Sequence, residues 1–258
     1  MIDLHCHLLP NVDDGPSDWE MTLRMIRMAR ADGIRTAITT PHWSGLAEGT
    51  SLATSRFEEC VRRISEQQID FQLHLGQEVI LIPELLNALK NGAALTLAGS
   101  SYVLLETAQL EHGPFHHQAL FQLQTAGYRI VLAHPERVRS WHRSWDTLKE
   151  LIDRGCYVQI NAGSLSGGFG TAVRRAAEEL LQRGWVTLLA SDAHSDTSRP
   201  PGLSAARGRA SALIGEALAE KLVQDHPAQV LCNELLPYAD PEGAPMRRRD
   251  RRWFWPWS

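Results

Sequence analysis

The chain has 258 residues, of which 43% are hydrophobic and 22% are charged, as is usual for a water-soluble globular domain. Its formal net charge of −4 gives no general attraction to nucleic acid, and no apolar run approaches the roughly 20 residues of a membrane-spanning helix. The N-terminus begins with charged and polar residues inside a predicted strand, unlike a signal peptide, so we expect a cytoplasmic protein.

Seven short apolar runs alternate with amphipathic stretches along the chain. The first helix is predicted to begin at the N-cap Ser17, with Glu20 completing a capping box, and to stop at Gly33. The apolar runs predict strands at 2–7, 34–40, 71–79, 101–107, 128–134, 156–162 and 186–192. The other helices are predicted at 52–67, 83–90, 115–126, 145–154, 170–183, 203–214 and 216–224.

This alternation is typical of a parallel sheet with its helices outside. Seven repeats in this length favour closure into a barrel, and an open doubly wound sheet is the alternative. Residues 1–240 are expected to form one domain, followed by a basic-aromatic tail at 241–258. The last twelve residues contain five arginines and four aromatic residues, a composition that fits contact with an anionic membrane surface but also a disordered tail.

Acidic and imidazole side chains stand where most of the predicted strands end. His5 and His7 are two residues apart in the first strand and therefore point to the same face. Because functional groups of parallel barrels collect at the carboxyl ends of the strands, we expect these side chains to converge. The full set of candidate metal ligands is His5, His7, Asp14, His42, Glu78, Glu106, His134, Asp192 and His194. Asn161 ends the sixth strand.

Nine converging imidazoles and carboxylates would be unfavourable without a cation, because buried carboxylates require pairing or a metal. The mixed nitrogen and oxygen donors suit Mn²⁺, Fe²⁺ or Zn²⁺, and nine donors are too many for one ion. The remaining histidines lie within a strand or in helices and loops and are not predicted as ligands. They are His74, His112, His116, His117, His142 and His226.

Other catalytic chemistries fit the sequence less well. None of the four cysteines is followed by the arginine of a C-x5-R phosphatase motif, and their wide separation predicts reduced, mostly buried thiols. The glycine-rich stretch at 161–171 lacks the lysine of a nucleotide-binding P-loop, and Leu165 holds the serine position of G-x-S-x-G. We interpret that stretch as a flexible loop over the site.

The elements HCH, DDG, TPH, GQE, AHPER and SDAH together resemble the PHP (polymerase and histidinol phosphatase) superfamily of phosphoesterases. Within it, residues 1–235 are most similar to the bacterial tyrosine-protein phosphatases of the CpsB/CapC/YwqE type. The resemblance implies a distorted (β/α)7 TIM-like barrel and a trinuclear site, usually active with Mn²⁺. It implies one ion on His5, His7, Glu78 and Asp192, a second on Glu78, Glu106 and His134, and a third on Asp14, His42 and His194. Asp13 remains an alternative to Asp14.

The resemblance also implies the reaction, which is hydrolysis of a phosphotyrosine monoester by a metal-activated water. Arg137 and Arg199 match positions that contact the substrate phosphate, and a guanidinium fork suits phosphate oxygens. The implied partner is a phosphotyrosine-bearing protein, a membrane-associated kinase that controls capsule or exopolysaccharide synthesis. The alternatives are a small-molecule phosphatase, such as one acting on histidinol phosphate, and a metal-bound regulatory module without turnover.

Overall fold

The structure is a computed structural model that describes residues 1–43, 45–108, 110 and 114–237, without the side chains of 114 and 115. The predicted boundary at 240/241 and the basic-aromatic tail lie outside the described residues, as does His112.

The described part of the chain contains nine strands, all paired in parallel. They are β1 (Ile2–Cys6), β2 (Thr36–Thr39), β3 (His42–Trp43), β4 (Gln72–Leu75), β5 (Glu78–Val79), β6 (Tyr102–Glu106), β7 (Arg129–Ala133), β8 (Tyr157–Asn161) and β9 (Leu188–Ala190). The predicted α/β class with parallel strands is therefore confirmed.

Nine strands appear instead of seven because the strand predicted at 71–79 is interrupted and a short additional strand follows the one predicted at 34–40. Pro41 has no amide hydrogen for the ladder and separates β2 from β3. Gly76 lies between β4 and β5, where an added Cβ would approach the Leu97 backbone to 3.2 Å. The interruptions divide the ladders into a sheet β1-β2-β4 and a sheet β3-β5-β6-β7-β8-β9, so the assigned strands form no closed barrel.

Ten α-helices lie among the described residues: α1 (Trp19–Asp32), α2 (Ala47–Glu66), α3 (Leu85–Asn91), α4 (Pro114–Thr125), α5 (Asp146–Asp153), α6 (Ala162–Ser166), α7 (Thr171–Gln182), α8 (Ser204–Ile214), α9 (Glu216–Val223) and α10 (Asp225–Leu231). Short 3-10 helices span Leu97–Gly99, Pro135–Arg137 and Arg139–Arg143. Helices α6 and α10 were not expected, and α6 occupies part of the stretch predicted as a flexible loop. None of the helices in the described ranges is long and apolar enough to cross a membrane.

Of the two predicted boundaries of α1, the C-terminal one is confirmed and the N-terminal one is not. The predicted N-cap Ser17 is wrong, because the Asp18 carboxylate accepts the Met21 amide at 2.8 Å. A carboxylate is charged and suits the positive end of the helix dipole. Gly33 ends the helix with φ of 95°, as predicted.

Apolar side chains pack on both faces of the strands. The larger cluster places strand residues such as Val103 and Leu132 against the helices. A smaller cluster unites Leu4, Tyr102 and Leu188 from distant strands on the other face. The ends of β1 and β9 meet through a parallel bridge between Cys6 and Ala193, which brings the first and last strand ends together.

Candidate metal centre

The carboxyl ends of the strands bring all nine predicted ligands together. The donor atoms form four overlapping groups, and within each group they lie within 4.8 Å of one another. The groups are His5, His7 and Glu78; His5, His134 and Asp192; Glu78, Glu106 and His134; and His7, Asp14, His42 and His194. Because the groups share members, the side chains form one continuous cluster.

Glu78 and Asp192 lie at the centre of this cluster and are almost fully buried. Glu78 Oε1 is 3.0 Å from His134 Nε2, and Glu78 Oε2 is 3.0 Å from His42 Nδ1 and 3.3 Å from His5 Nε2. Asp192 Oδ1 is 3.4 Å from His5 Nε2. Each carboxylate therefore faces several imidazole nitrogens from different strands.

Burial and opposite charge strongly shift the protonation of these groups. Burial alone would lower the pKa of His5, but the carboxylates of Glu78 and Asp192 raise it to about 10. Against the effect of burial, the neighbouring histidines hold the pKa of Glu78 well below its usual range. His194 differs, because burial and the adjacent His7 lower its pKa to about 4. The carboxylates therefore favour a protonated His5, which would have to lose its proton before it could ligate a cation.

The geometry separates the roles of the two adjacent aspartates. Asp13 Oδ2 lies 2.6 Å from His7 Nδ1 and also accepts the His42 amide at 3.0 Å, so Asp13 orients two of the cluster histidines. Asp14 Oδ1 lies 3.2 Å from His194 Nε2 and 3.4 Å from His42 Nε2, inside a candidate group. A carboxylate on the far nitrogen of a ligating histidine is a common support for metal sites, and Asp13 has that position.

A chain of amide side chains on β8 supports the opposite side of the cluster. Gln159 Oε1 is 3.0 Å from His5 Nδ1, and Gln159 Nε2 donates to Asn161 Oδ1 at 2.8 Å. Asn161 Nδ2 in turn donates to Asp192 Oδ2 at 2.5 Å. Sequence reasoning missed Gln159, although its signal is the polar alternation of Gln159 and Asn161 in an otherwise apolar strand.

Two of the nine cluster residues have unusual backbone conformations. His134 has φ of 38° and Asp192 has φ of 52°, in the left-handed region that non-glycine residues avoid. Each follows the end of a strand and is fixed by a 2.8 Å hydrogen bond, from His134 N to Gln159 O and from Asp192 N to His5 O. Such strain, of order 1–3 kcal/mol per residue, concentrates at functional sites.

The two predicted phosphate-binding arginines reach the edge of the cluster. Arg137 Nη1 lies 3.1 Å and Arg199 Nη2 2.5 Å from the same Asp192 oxygen. Their side chains are 34% and 26% exposed, so a ligand can approach them from solvent. The cluster therefore combines a polar centre with two guanidinium groups that face an accessible side.

The described histidines that were not predicted as ligands belong to none of the four groups. His142 Nε2 lies 2.8 Å from the Glu136 carbonyl, and His226 Nδ1 lies 2.7 Å from the Thr187 carbonyl. No cysteine belongs to the four groups, and burial raises the pKa of the Cys60 and Cys156 thiols to about 12, which makes these two thiols poor nucleophiles. The chemistry of this site therefore rests on oxygen and imidazole donors.

Comparisons with known proteins agree with this site. The family described as "Capsular polysaccharide synthesis, CpsB/CapC" matches residues 1–232. The chain is 35% identical to the tyrosine-protein phosphatase YwqE of Bacillus subtilis, over 77% of this chain and 79% of the relative. It is 31% identical to the putative tyrosine-protein phosphatase CapC of Staphylococcus aureus, over 78% and 79%.

A solved structure is also similar over nearly the whole chain. It comes from work on YwqE of Bacillus subtilis and CpsB of Streptococcus pneumoniae, described as unique metal-dependent tyrosine phosphatases. The TM-score is 0.87 at 29% identity, and the match covers 93% of this chain and 98% of the other.

Proposed function

Because the chain belongs to the CpsB/CapC family of capsular polysaccharide synthesis, we propose that it is a metal-dependent tyrosine-protein phosphatase. The observation that carries this proposal is the convergence of nine imidazole and carboxylate side chains in four overlapping groups. Two arginines border the same cluster and offer the planar forks that phosphate oxygens need.

The residues present fit divalent cations. Buried carboxylates and imidazoles in contact are the donor set of Mn²⁺, Fe²⁺ and Zn²⁺. His194 Nε2 is buried and makes no hydrogen bond among the described residues, although Asp14 Oδ1 lies 3.2 Å away. We assign one ion to His5, His7, Glu78 and Asp192, a second to Glu78, Glu106 and His134, and a third to Asp14, His42 and His194. Mn²⁺ is the proposed metal. When bound, these ions would supply Lewis acidity for activating water and for neutralising phosphoryl charge.

The protein's own side chains bind and orient the phosphate. Arg137 and Arg199 pair with its non-bridging oxygens and stabilise the charge that develops there. Asp192 holds both guanidiniums at the edge of the cluster, which directs them toward the reacting centre. The phenolate leaving group of tyrosine needs little protonation, so this reaction makes a small demand on a general acid.

The accessibility of the cluster favours a protein substrate over a small molecule. The side chains of Asp14 and His42 are 65% and 43% exposed, so one side of the cluster is open to solvent. A phosphotyrosine on a flexible protein segment can reach such a site, whereas a small-molecule phosphatase needs a closed pocket for specificity. We propose a membrane-associated tyrosine kinase of capsule or exopolysaccharide synthesis as the substrate.

We also infer that residues 1–240 form one distorted (β/α)7 barrel, with residues 241–258 as a separate basic-aromatic tail. The bridge from Cys6 to Ala193 supports this closure. The protein would work in the cytoplasm, and the arginines and tryptophans of this tail would contact the inner face of the membrane. Deleting residues 246–258 should weaken binding to anionic liposomes, and unchanged partitioning would argue against the contact.

Parallel assays test the proposed function. We expect EDTA to abolish hydrolysis of a phosphotyrosyl peptide and Mn²⁺ to restore it. His134→Ala and Arg137→Ala should abolish turnover, whereas the matched variants His117→Ala and Arg154→Ala, away from the cluster, should not. Preferential hydrolysis of histidinol phosphate would favour the small-molecule alternative. Metal-loaded protein without activity on either substrate would indicate a regulatory module.

A further inference from the structure

The loop between α6 and α7 carries one aromatic residue toward the arginines of the site. Phe169 lies within the sequence Gly167–Gly170, and its side chain is half-buried. Gly167 and Gly170 have φ of 87° and 90°, and the Gly168 amide donates to the Gly163 carbonyl at 2.9 Å. The glycine-rich stretch is therefore a turn with a defined hydrogen bond that directs the Phe169 side chain.

The Phe169 ring lies directly over Gly163. A Cβ atom added to Gly163 would be 3.0 Å from Phe169 Cε2, which is closer than most real Cβ contacts. The absence of a side chain at Gly163 thus provides the space that the ring fills.

Both arginines of the site also contact this ring. The Cζ atoms of Arg137 and Arg199 lie 4.6 and 5.7 Å from the Phe169 centroid, within the range of cation–π attraction. Arg137 follows β7, whereas Arg199 lies beyond β9, so the ring joins two segments that are distant in sequence. Arg199 Nε is buried and has no hydrogen-bond partner among the described residues, so its N–H can still donate to a ligand oxygen.

We propose that Phe169 is a positioning residue that holds Arg137 and Arg199 ready for the phosphate group of the substrate. This inference rests on the proposed function, in which the two arginines bind the phosphoryl oxygens. Both guanidinium groups contact the Asp192 carboxylate, but Asp192 is also a proposed metal ligand, so its oxygens would serve the arginines and the metal site together. The ring contact does not depend on those oxygens, and it restricts two long side chains that would otherwise lose conformational entropy on binding.

The direct test measures binding of orthophosphate to Mn²⁺-loaded protein by calorimetry, together with kcat and KM for a phosphotyrosyl peptide. Phe169→Leu keeps apolar bulk but removes the π face, and we expect about fivefold to thirtyfold weaker phosphate binding. KM should rise more than kcat falls, with the Mn²⁺ content unchanged. Phe169→Tyr should recover most of the lost affinity. The matched variant Phe121→Leu changes a phenylalanine that is 65% exposed on α4 and should bind phosphate like the parent.

Gly163→Ala provides a second, independent variant. It favours the helical conformation of α6 while pressing on the ring, so stability should hold while phosphate affinity falls. If Phe169 only packs the loop, Phe169→Leu will lower the melting temperature and leave phosphate binding unchanged, which would overturn the proposal. A parent protein that does not bind orthophosphate would also overturn it.

The binding measurement separates this inference from the proposed function. If the parent binds orthophosphate and Phe169→Leu weakens that binding, the positioning role stands even if no phosphotyrosyl peptide is hydrolysed. If the peptide is hydrolysed but the variant binds phosphate normally, the proposed function stands and the role of Phe169 is wrong.

Discussion

The inner face of the strands has two halves with opposite chemistry. Near the amino ends, Tyr102 and Leu188 lie in a buried apolar cluster, and the Tyr102 hydroxyl donates to the Glu234 carbonyl at 2.7 Å. Near the carboxyl ends, the same face presents Glu106 on β6 and Gln159 on β8, together with the buried imidazoles. The groups of the apolar half are all packed or hydrogen-bonded within the protein, whereas the polar half concentrates carboxylates and imidazoles that suit a cation. Stability and ligand binding should therefore be separable.

The largest effect is expected from the centre of the polar half. Glu78→Gln keeps the size of the side chain but removes the negative charge of a carboxylate that lies within 3.7 Å of four histidine nitrogens. Bound metal ions stabilise transition-state charge by several kcal/mol, so loss of the metal should lower activity by about a thousandfold or more. Mn²⁺ content, measured by mass spectrometry, should fall as well. Glu58→Gln, which changes an exposed glutamate of α2, is the matched control. Normal Mn²⁺ content in Glu78→Gln would contradict the assignment of Glu78.

The apolar half should show the opposite response. Leu188 is 1% exposed in the inner cluster, so Leu188→Ala should lower the free energy of unfolding by about 2–5 kcal/mol, as measured by urea denaturation. Mn²⁺ content and kcat/KM should stay close to those of the parent at a temperature where the variant is folded. Loss of Mn²⁺ from the folded variant would mean that the two halves are not separable.

A smaller effect is expected where the two halves meet. Gln159→Leu removes the partner of His5 Nδ1 and breaks the link to Asn161. Loss of such a supporting contact typically costs about 10–100-fold in metal affinity, which equilibrium dialysis against Mn²⁺ would measure. Asp13→Asn should show a loss in the same range through His7. Affinities equal to that of the parent would indicate that neither residue orients its histidine.

Binding of Mn²⁺ to the polar half should also release protons from its histidines. The pKa of His5 is raised to about 10, from 6.5, so its stabilising contribution to the metal-free protein is present below pH 6.5 and is lost as the pH rises through about 10. A ligating imidazole must be neutral, so Mn²⁺ affinity should increase as the pH rises toward about 10. Titration calorimetry in buffers of different ionisation enthalpy should detect released protons. Binding without proton release would contradict the protonated state of His5.

The strand-end pattern predicted much of the cluster, because the carboxyl end of a parallel strand fixes where a side chain projects. His42 and Glu78 share a register position on neighbouring strands, as that reasoning requires. The contact between Phe169 and Arg199 could not be predicted from the strand-end pattern. Their contact depends on how a loop turns and on the space above Gly163, and neither follows from the periodicity of the sequence. The interruption at Gly76 likewise depends on a tertiary contact, with Leu97, whereas the one at Pro41 follows from the missing amide hydrogen of proline.

The most direct test of the account is an anomalous-scattering map from crystals grown with Mn²⁺. We predict on the order of two or three manganese peaks at the carboxyl ends of the strands, enclosed by the four overlapping groups of ligands. Crystals grown in saturating Mn²⁺ that show no peak there, or manganese bound only elsewhere on the surface, would contradict this assignment.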